Sequence, residues 1–221
     1  MRKFLIVLPF CLLTACLLSC TTDAYEKGDG KYSQLRAELV EAHATASHLI
    51  DYVITDEGER LLLKNRPEVK WANKADTLYR ALLYYNKVEE GADPVSLSPV
   101  VTLVPHHIDT LKTDPIGFES AWLSTTRRYI NLGLSLKVGT TDDENAIQSI
   151  GLHADTLVAH GNGKRALHLR FYHDQAGVPE YYSQRTYISI PTDSLAADTV
   201  YLRINTYSGV IEKELVLSST Q

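Results

Sequence analysis

The thiol of Cys20 has the most clearly defined chemistry in this sequence. Arg2 and Lys3 open the chain, an apolar stretch runs from Phe4 to Leu18, and Ser19 precedes Cys20, which is the layout of an export signal. Leu17-Leu18-Ser19-Cys20 has an aliphatic residue three places before a cysteine and a small residue beside it, as lipoprotein processing requires. Lipidation of Cys20 is therefore expected. Leu13-Thr14-Ala15-Cys16 has the same form, but cutting there would leave Leu17, Leu18 and a second cysteine on the mature end. After Cys20 the chain turns polar at once. The apolar stretch is about 15 residues, short of the roughly 20 that a membrane-crossing helix needs. All three cysteines fall in this segment, so processing at Cys20 leaves no thiol for a disulfide or a metal.

Histidine is the next residue type to weigh, with eight in the chain. His106-His107-Ile108-Asp109 and His153-Ala154-Asp155 are the tightest groups, but neighbours on a strand point to opposite faces, and two ligands do not complete a zinc site. Solvated or capping histidines are expected, with no metal and no cofactor. Gly161-Asn162-Gly163-Lys164-Arg165 lacks the spacing of a phosphate loop and no helical period follows it, so a hairpin loop is expected. There is no nucleophile elbow, and Asp142-Asp143-Glu144 sits in a polar stretch with the look of an exposed loop. No catalytic residue is assigned.

Two patterns point to surfaces. Tyrosine outnumbers the other aromatics, thirteen against four Phe and two Trp, and Tyr129, Tyr172 and Tyr201 fall on the outward side of alternating segments. Exposed tyrosines give rigid amphipathic contact area, so these three are candidate partner-binding residues, with simple strand propensity as the alternative. Asp followed by Ser or Thr and an aliphatic residue recurs at Thr77, Thr110, Thr156, Ser194 and Thr199. That pattern is similar to the O-glycosylation acceptor of exported Bacteroidota proteins, and it equally marks entry from a loop into a strand.

The elements that would carry these residues are strands. Leu35, Ala37 and Leu39 alternate with Arg36 and Glu38, and Leu61-Leu62-Leu63 follows the Asp56-Glu57-Gly58 turn signal. Leu78, Leu82 and Tyr85 also have helical spacing, but the tyrosines and flanks of this stretch favour strand. Ile130, Leu132, Leu134, Leu136 and Val138 line one face, with Tyr129, Asn131, Gly133, Ser135 and Lys137 on the other. The segments from Leu167 and from Val200 alternate in the same way, which predicts antiparallel sheets with one face in the core and one in water. Turn-punctuated strands at this spacing imply a sandwich or barrel. We therefore expect an all-β protein: signal peptide 1–20, flexible tether 21–31, barrel 32–104, a Pro- and Gly-bearing linker 105–117 and a sandwich 118–221. About 190 residues suffice for such cores without disulfides. The formal charge of −5 becomes −7 once Arg2 and Lys3 are removed, which argues against nucleic acid as a partner. No internal repeat is present.

The signal segment, the barrel-sized β region, Trp122 followed by Tyr129-Ile130-Asn131-Leu132, the aliphatic strand Ile147 to Leu152 and the strand Leu167 to Asp174 together resemble the NigD-like lipoproteins of Bacteroidota. The resemblance spans nearly the whole mature chain. It implies an N-terminal OB-like barrel followed by a C-terminal immunoglobulin-like β-sandwich. The family takes its name from a suggested role in bacteriocin immunity, which defines no site, so no catalytic residue is carried over. Thr21 after Cys20 suits sorting to the outer membrane, with the periplasmic or surface side open. The expected function is a non-enzymatic binding module on the envelope for a protein or glycan partner. An envelope enzyme acting on glycan or peptidoglycan and a structural subunit of a fibre are the alternatives.

Overall fold

The structure, a computed structural model, describes residues 34–161 and 163–218. The signal peptide, Cys20 and the tether lie outside the described residues. From Leu35 onward the chain forms one compact unit.

The first sheet has five strands, β1 (Arg36–Ala46), β2 (Leu49–Thr55), β3 (Arg60–Leu62), β4 (Thr77–Val88) and β5 (Gly91–Pro99), in the order β3-β2-β1-β4-β5. A parallel bridge between Leu63 and Ala92 joins its two ends, and Lys64 N–H donates to Ala92 C=O at 2.9 Å. This order and closure are compatible with the expected OB-like barrel. Its interior combines small and large residues: Ala42 and Ala44 pair with Val53 and Ile50 across β1 and β2, and Ala81 shares the inward face of β4 with Leu83 and Tyr85. Gly91 sits at the closure with φ of +140°, and a Cβ there would run into the Leu62 carbonyl. Only glycine fits that approach. The inward face of β1 is Val40, Ala42 and Ala44, opposite in parity to the Leu35 and Ala37 set that the local alternation favoured. The stretch with competing helical spacing is strand throughout β4.

The second body is a sandwich. β6 (Val101–Thr102), β7 (Gly117–Leu123), β8 (Tyr129–Val138) and β11 (Tyr182–Pro191) form one sheet in the order β6-β11-β8-β7. β9 (Ser149–Ala159), β10 (Arg165–Asp174), β12 (Thr199–Thr206) and β13 (Gly209–Val216) form the other in the order β13-β12-β10-β9. Ile130, Leu132 and Leu134 meet Leu152, Leu169, Phe171, Leu202 and Ile204 between the sheets. The expectation of antiparallel sheets is corrected at two pairings, β10 with β12 and β6 with β11, which run parallel. The chain leaves β10 for the opposite sheet at β11 and returns, so the next strand on the first side has the same direction.

Residues 105–117, expected as a linker, are built into the sandwich. His106 N–H donates to Leu152 C=O and His106 C=O accepts from Ala154 N–H, then Asp114 bonds to His173 and Ile116 to Asn205. The segment thereby touches β9, β10 and β12 in turn. Its prolines and sparse periodicity mark a strap whose hydrogen bonds go to strands far along the chain.

Candidate functional site

The barrel rests on the outer face of the β6-β11-β8-β7 sheet, the face that the alternation of β8 assigned to water. Asn131 and Gly133 on it are buried and Tyr129 is half-buried. Alternation shows that a face is not in the core; it does not say whether water or a second domain covers it. The barrel contributes the outward residues of β1 and β4, notably Glu41 and Arg80.

These residues form a polar network across the junction. Arg80 Nε donates to Ser189 Oγ at 2.9 Å, and Nη2 donates to Asn131 Oδ1 at 3.0 Å and to Asp56 Oδ2 at 2.8 Å. Nη1 lies 2.7 Å from Asp56 Oδ1, close enough for ion pairing although its N–H directions miss a hydrogen bond. Asn131 Nδ2 donates to Asp56 Oδ2 and Ser189 Oγ to Asn131 Oδ1, both at 2.7 Å. The Arg80 guanidinium stands 4.1 Å from the centre of the Tyr129 ring, a cation–π contact out of water. Tyr129 Oη donates to Glu41 Oε1 at 2.8 Å, and Arg128 pairs with the other oxygen of that buried carboxylate. Burial, and then the hydrogen bond to Glu41, push the Tyr129 phenol up to about 12. None of these partnerships was drawn from the sequence. The available signal was a charge or amide, Glu41, Arg80 or Asn131, in the middle of an otherwise apolar strand.

Beside the network the junction opens into a cleft of about 390 Å³. Leu82 and Tyr84 of β4 form one wall, Trp122 of β7 and Tyr187 of β11 form the other, and Glu38 and Glu57 stand at the rim. The Trp122 and Tyr187 rings meet edge to face at 6.4 Å and 84°. Tyr187 pairs with Gly133, where a Cβ would lie 2.8 Å from Ser120 Oγ and 3.6 Å from the Tyr187 ring. The close approach that requires glycine there is to the Ser120 hydroxyl, and the Tyr187 ring lies at ordinary van der Waals distance. Asp56 also reaches the cleft, but its oxygens are held by Arg80 and Asn131. Glu38 accepts from Tyr85 Oη at 2.9 Å, and burial, followed by this hydrogen bond, raises the Tyr85 phenol to about 12. Trp122 was noted in the sequence only as a marker of resemblance, and the cleft itself was not foreseen.

The three candidate tyrosines are not brought together. Tyr129 is engaged inside the junction. Tyr172 and Tyr201 lie half-buried on the outer face of the other sheet, where Tyr201 stacks on His168 at 5.0 Å and 16°. The two histidine groups do meet, because the strap runs along β9. The His107 and His153 rings are 5.2 Å apart, and His153 Nδ1 accepts the Ile108 N–H at 3.0 Å. That bond leaves the ring proton on Nε2, which faces Asp155 Oδ1 at 3.3 Å. His153 thus caps a strap amide and presents no lone pair to a metal. No metal-binding group is found among the described residues.

Arg170 holds the Asp155 carboxyl below its ordinary range, and Lys112 does the same to Asp174. Both shifts run opposite to what a general acid needs. Asp142-Asp143-Glu144 lies in an exposed loop, where Asp143 Oδ1 accepts the Asn145 N–H at 2.9 Å. Gly161 and Gly163 flank the loop of the β9–β10 hairpin, and Asn162 lies outside the described residues.

Of the five hydroxyls in the Asp-Ser/Thr-aliphatic pattern, Thr110, Thr156 and Ser194 are exposed, and Thr77 and Thr199 are half-buried at the starts of β4 and β12. Asp198 accepts the Arg165 N–H at 2.8 Å, which gives that aspartate a part in entering the strand.

The profile of the NigD-like C-terminal beta sandwich domain matches residues 99–217, more than half of the chain. Among curated proteins no match is found. A solved NigD-like immunity protein from Bacteroides caccae is similar over 82% of this chain and 96% of its own, with 26% identity and a TM-score of 0.64. A candidate toxin-related protein from Parabacteroides distasonis, at 14% identity and a TM-score of 0.60, covers 82% of this chain and 92% of its own. A candidate lipoprotein from Bacteroides fragilis, also at 14% identity, gives 0.59 over 85% of this chain and 100% of its own. The last two show the fold alone.

Proposed function

Because the chain belongs to the NigD-like family, its residues 99–217 matching that family's sandwich, we propose that it is a non-enzymatic binding module of the cell envelope. In this reading Cys20 carries lipid and holds the folded body on the outer membrane, and the partner is an envelope or extracellular protein. The observation that carries the proposal is the junction cleft, with its aromatic walls and a network that fixes the barrel against the sandwich. Concave sites with rigid apolar walls and a few placed polar groups are where ligands bind. Two of the three carboxylates around the cleft, Asp56 and Glu38, accept hydrogen bonds from neighbouring side chains, which favours a structural over an acid–base role. The Bacteroides caccae relative is described as an immunity protein, and an immunity-type role is consistent with capture of a protein at the envelope. Glycans on Thr110, Thr156 or Ser194, and partner contacts through Tyr172 and Tyr201, are further expectations of this reading. An intact mass from a native-type host without hexose increments would remove the glycans. The proposal predicts a discrete adduct when membrane-intact cells are treated with a crosslinker, lost on Trp122→Ala. Absence of any adduct, together with turnover of an envelope substrate by the purified protein, would show it to be an enzyme instead.

A further inference from the structure

The junction cleft differs from two depressions on the opposite sheet of the sandwich in the sign of its lining. The depressions on the β9-β10-β12-β13 sheet are bordered by Arg170 and Arg203, whereas no Lys, Arg or His lines the junction cleft. Its charged lining is Glu38, Asp56 and Glu57. Asp56 is compensated by Arg80 from behind, but Glu57 is exposed and carries no ion pair or side-chain hydrogen bond among the described residues. Glu38 is met through one oxygen by an uncharged donor, Tyr85. Two carboxylates at the mouth therefore face three aromatic rings, those of Tyr84, Trp122 and Tyr187.

A carboxylate rim attracts cations, and the face of an indole or phenol ring attracts them too, most strongly where water is excluded. Leu82 and Leu123 supply apolar wall for the methylene stem of a long side chain, which buries its carbons and keeps its charge at the rim. An anionic group would meet repulsion at Glu38 and Glu57. A neutral sugar would use the rings and leave the rim charges without a partner. At about 390 Å³ the cleft takes a few side chains and excludes a folded domain.

Resting on the binding-module reading, we propose that the cleft takes an extended peptide segment of a protein partner that presents Lys or Arg side chains. The rim carboxylates pair with the cation, and Trp122, Tyr187 and Tyr84 hold the stem and backbone.

The test is calorimetric titration of the mature protein with acetyl-Gly-Lys-Leu-Lys-Gly-amide, with the same peptide carrying Gln for Lys, and with tetra-N-acetylglucosamine. Binding of the Lys peptide alone is expected, weaker at higher salt. It should fall by about tenfold in Glu38→Gln/Glu57→Gln, which is about 1.4 kcal/mol of binding free energy. Glu57→Gln by itself touches only an exposed side chain and should retain the wild-type melting temperature, so weaker binding by that variant cannot be charged to misfolding. Equal binding of the Gln peptide, binding of the tetrasaccharide alone, or no binding by any of the three would overturn the cationic assignment. The cellular crosslinking reports separately on whether the protein is a binding module at all.

Discussion

Arg80 takes its charge into a place where its side chain is 2% exposed, and the bonds it makes there join the two halves of the molecule. Removing it in Arg80→Ala would leave Asp56 uncompensated at the junction, and loss of one partner of such a pair costs about 3–5 kcal/mol. A lowered denaturation midpoint in urea is the expected result, while an unchanged one would mean that water and the Asn131 amide compensate Asp56 without the guanidinium. Tyr129→Phe removes one hydrogen bond to the buried Glu41 and should cost about 1.5–3 kcal/mol in the same measurement. The phenols add a dependence on pH. Tyr129 and Tyr85 keep their protons to about 12 in the folded protein against 10.0 for the free group. Both contributions are whole below pH 10 and are lost as pH rises from about 10 to 12, because the unfolded chain gives up those protons first. Unfolding followed across that window should show falling stability, with a shallower fall in Tyr129→Phe.

Among the elements, the strap of residues 105–117 shows most clearly what local reading misses. Its hydrogen bonds run to Leu152, His173 and Asn205, and no period within thirteen residues encodes partners so distant in sequence. Strands with a strict alternation against the core, such as β8, β10 and β12, were legible because one face of each is lined by Ile, Leu, Val or Phe. The covered outer face of β8 was not legible, since Tyr129 and Asn131 are polar enough for water and equally suited to a polar interface. The histidine groups were visible as groups, but their meeting depends on the strap lying beside β9. His153→Leu removes the acceptor for the Ile108 N–H, so exchange of the Ile108 amide should quicken while the sandwich core stays protected. Equal protection in variant and wild type would mean that packing alone holds the strap. At the other end, Arg127 Nη1 donates to the carbonyls of Leu217 and Ser218, which clamps the chain just after β13 and opposes its release to another subunit.

Taken together, the five-stranded sheet β3-β2-β1-β4-β5 and the sandwich share a polar junction with an aromatic cleft beside it. The family and the all-β class were readable from the order of segments, whereas the cleft exists only once β1 and β4 are laid across β7 and β11. The proposed membrane anchor is tested at Cys20, outside the described residues: Cys20→Ser should release folded protein from the membrane fraction, and retention there would assign the anchor to Cys16 or to an uncleaved signal. The most direct test of the cleft is a photo-crosslinking residue, p-benzoyl-phenylalanine, placed in membrane-intact cells at Tyr84 on the cleft wall and, separately, at the exposed Tyr181 away from it. A discrete adduct is expected from position 84 that position 181 does not give. The same adducts from both positions, or none from position 84, would contradict binding at the cleft.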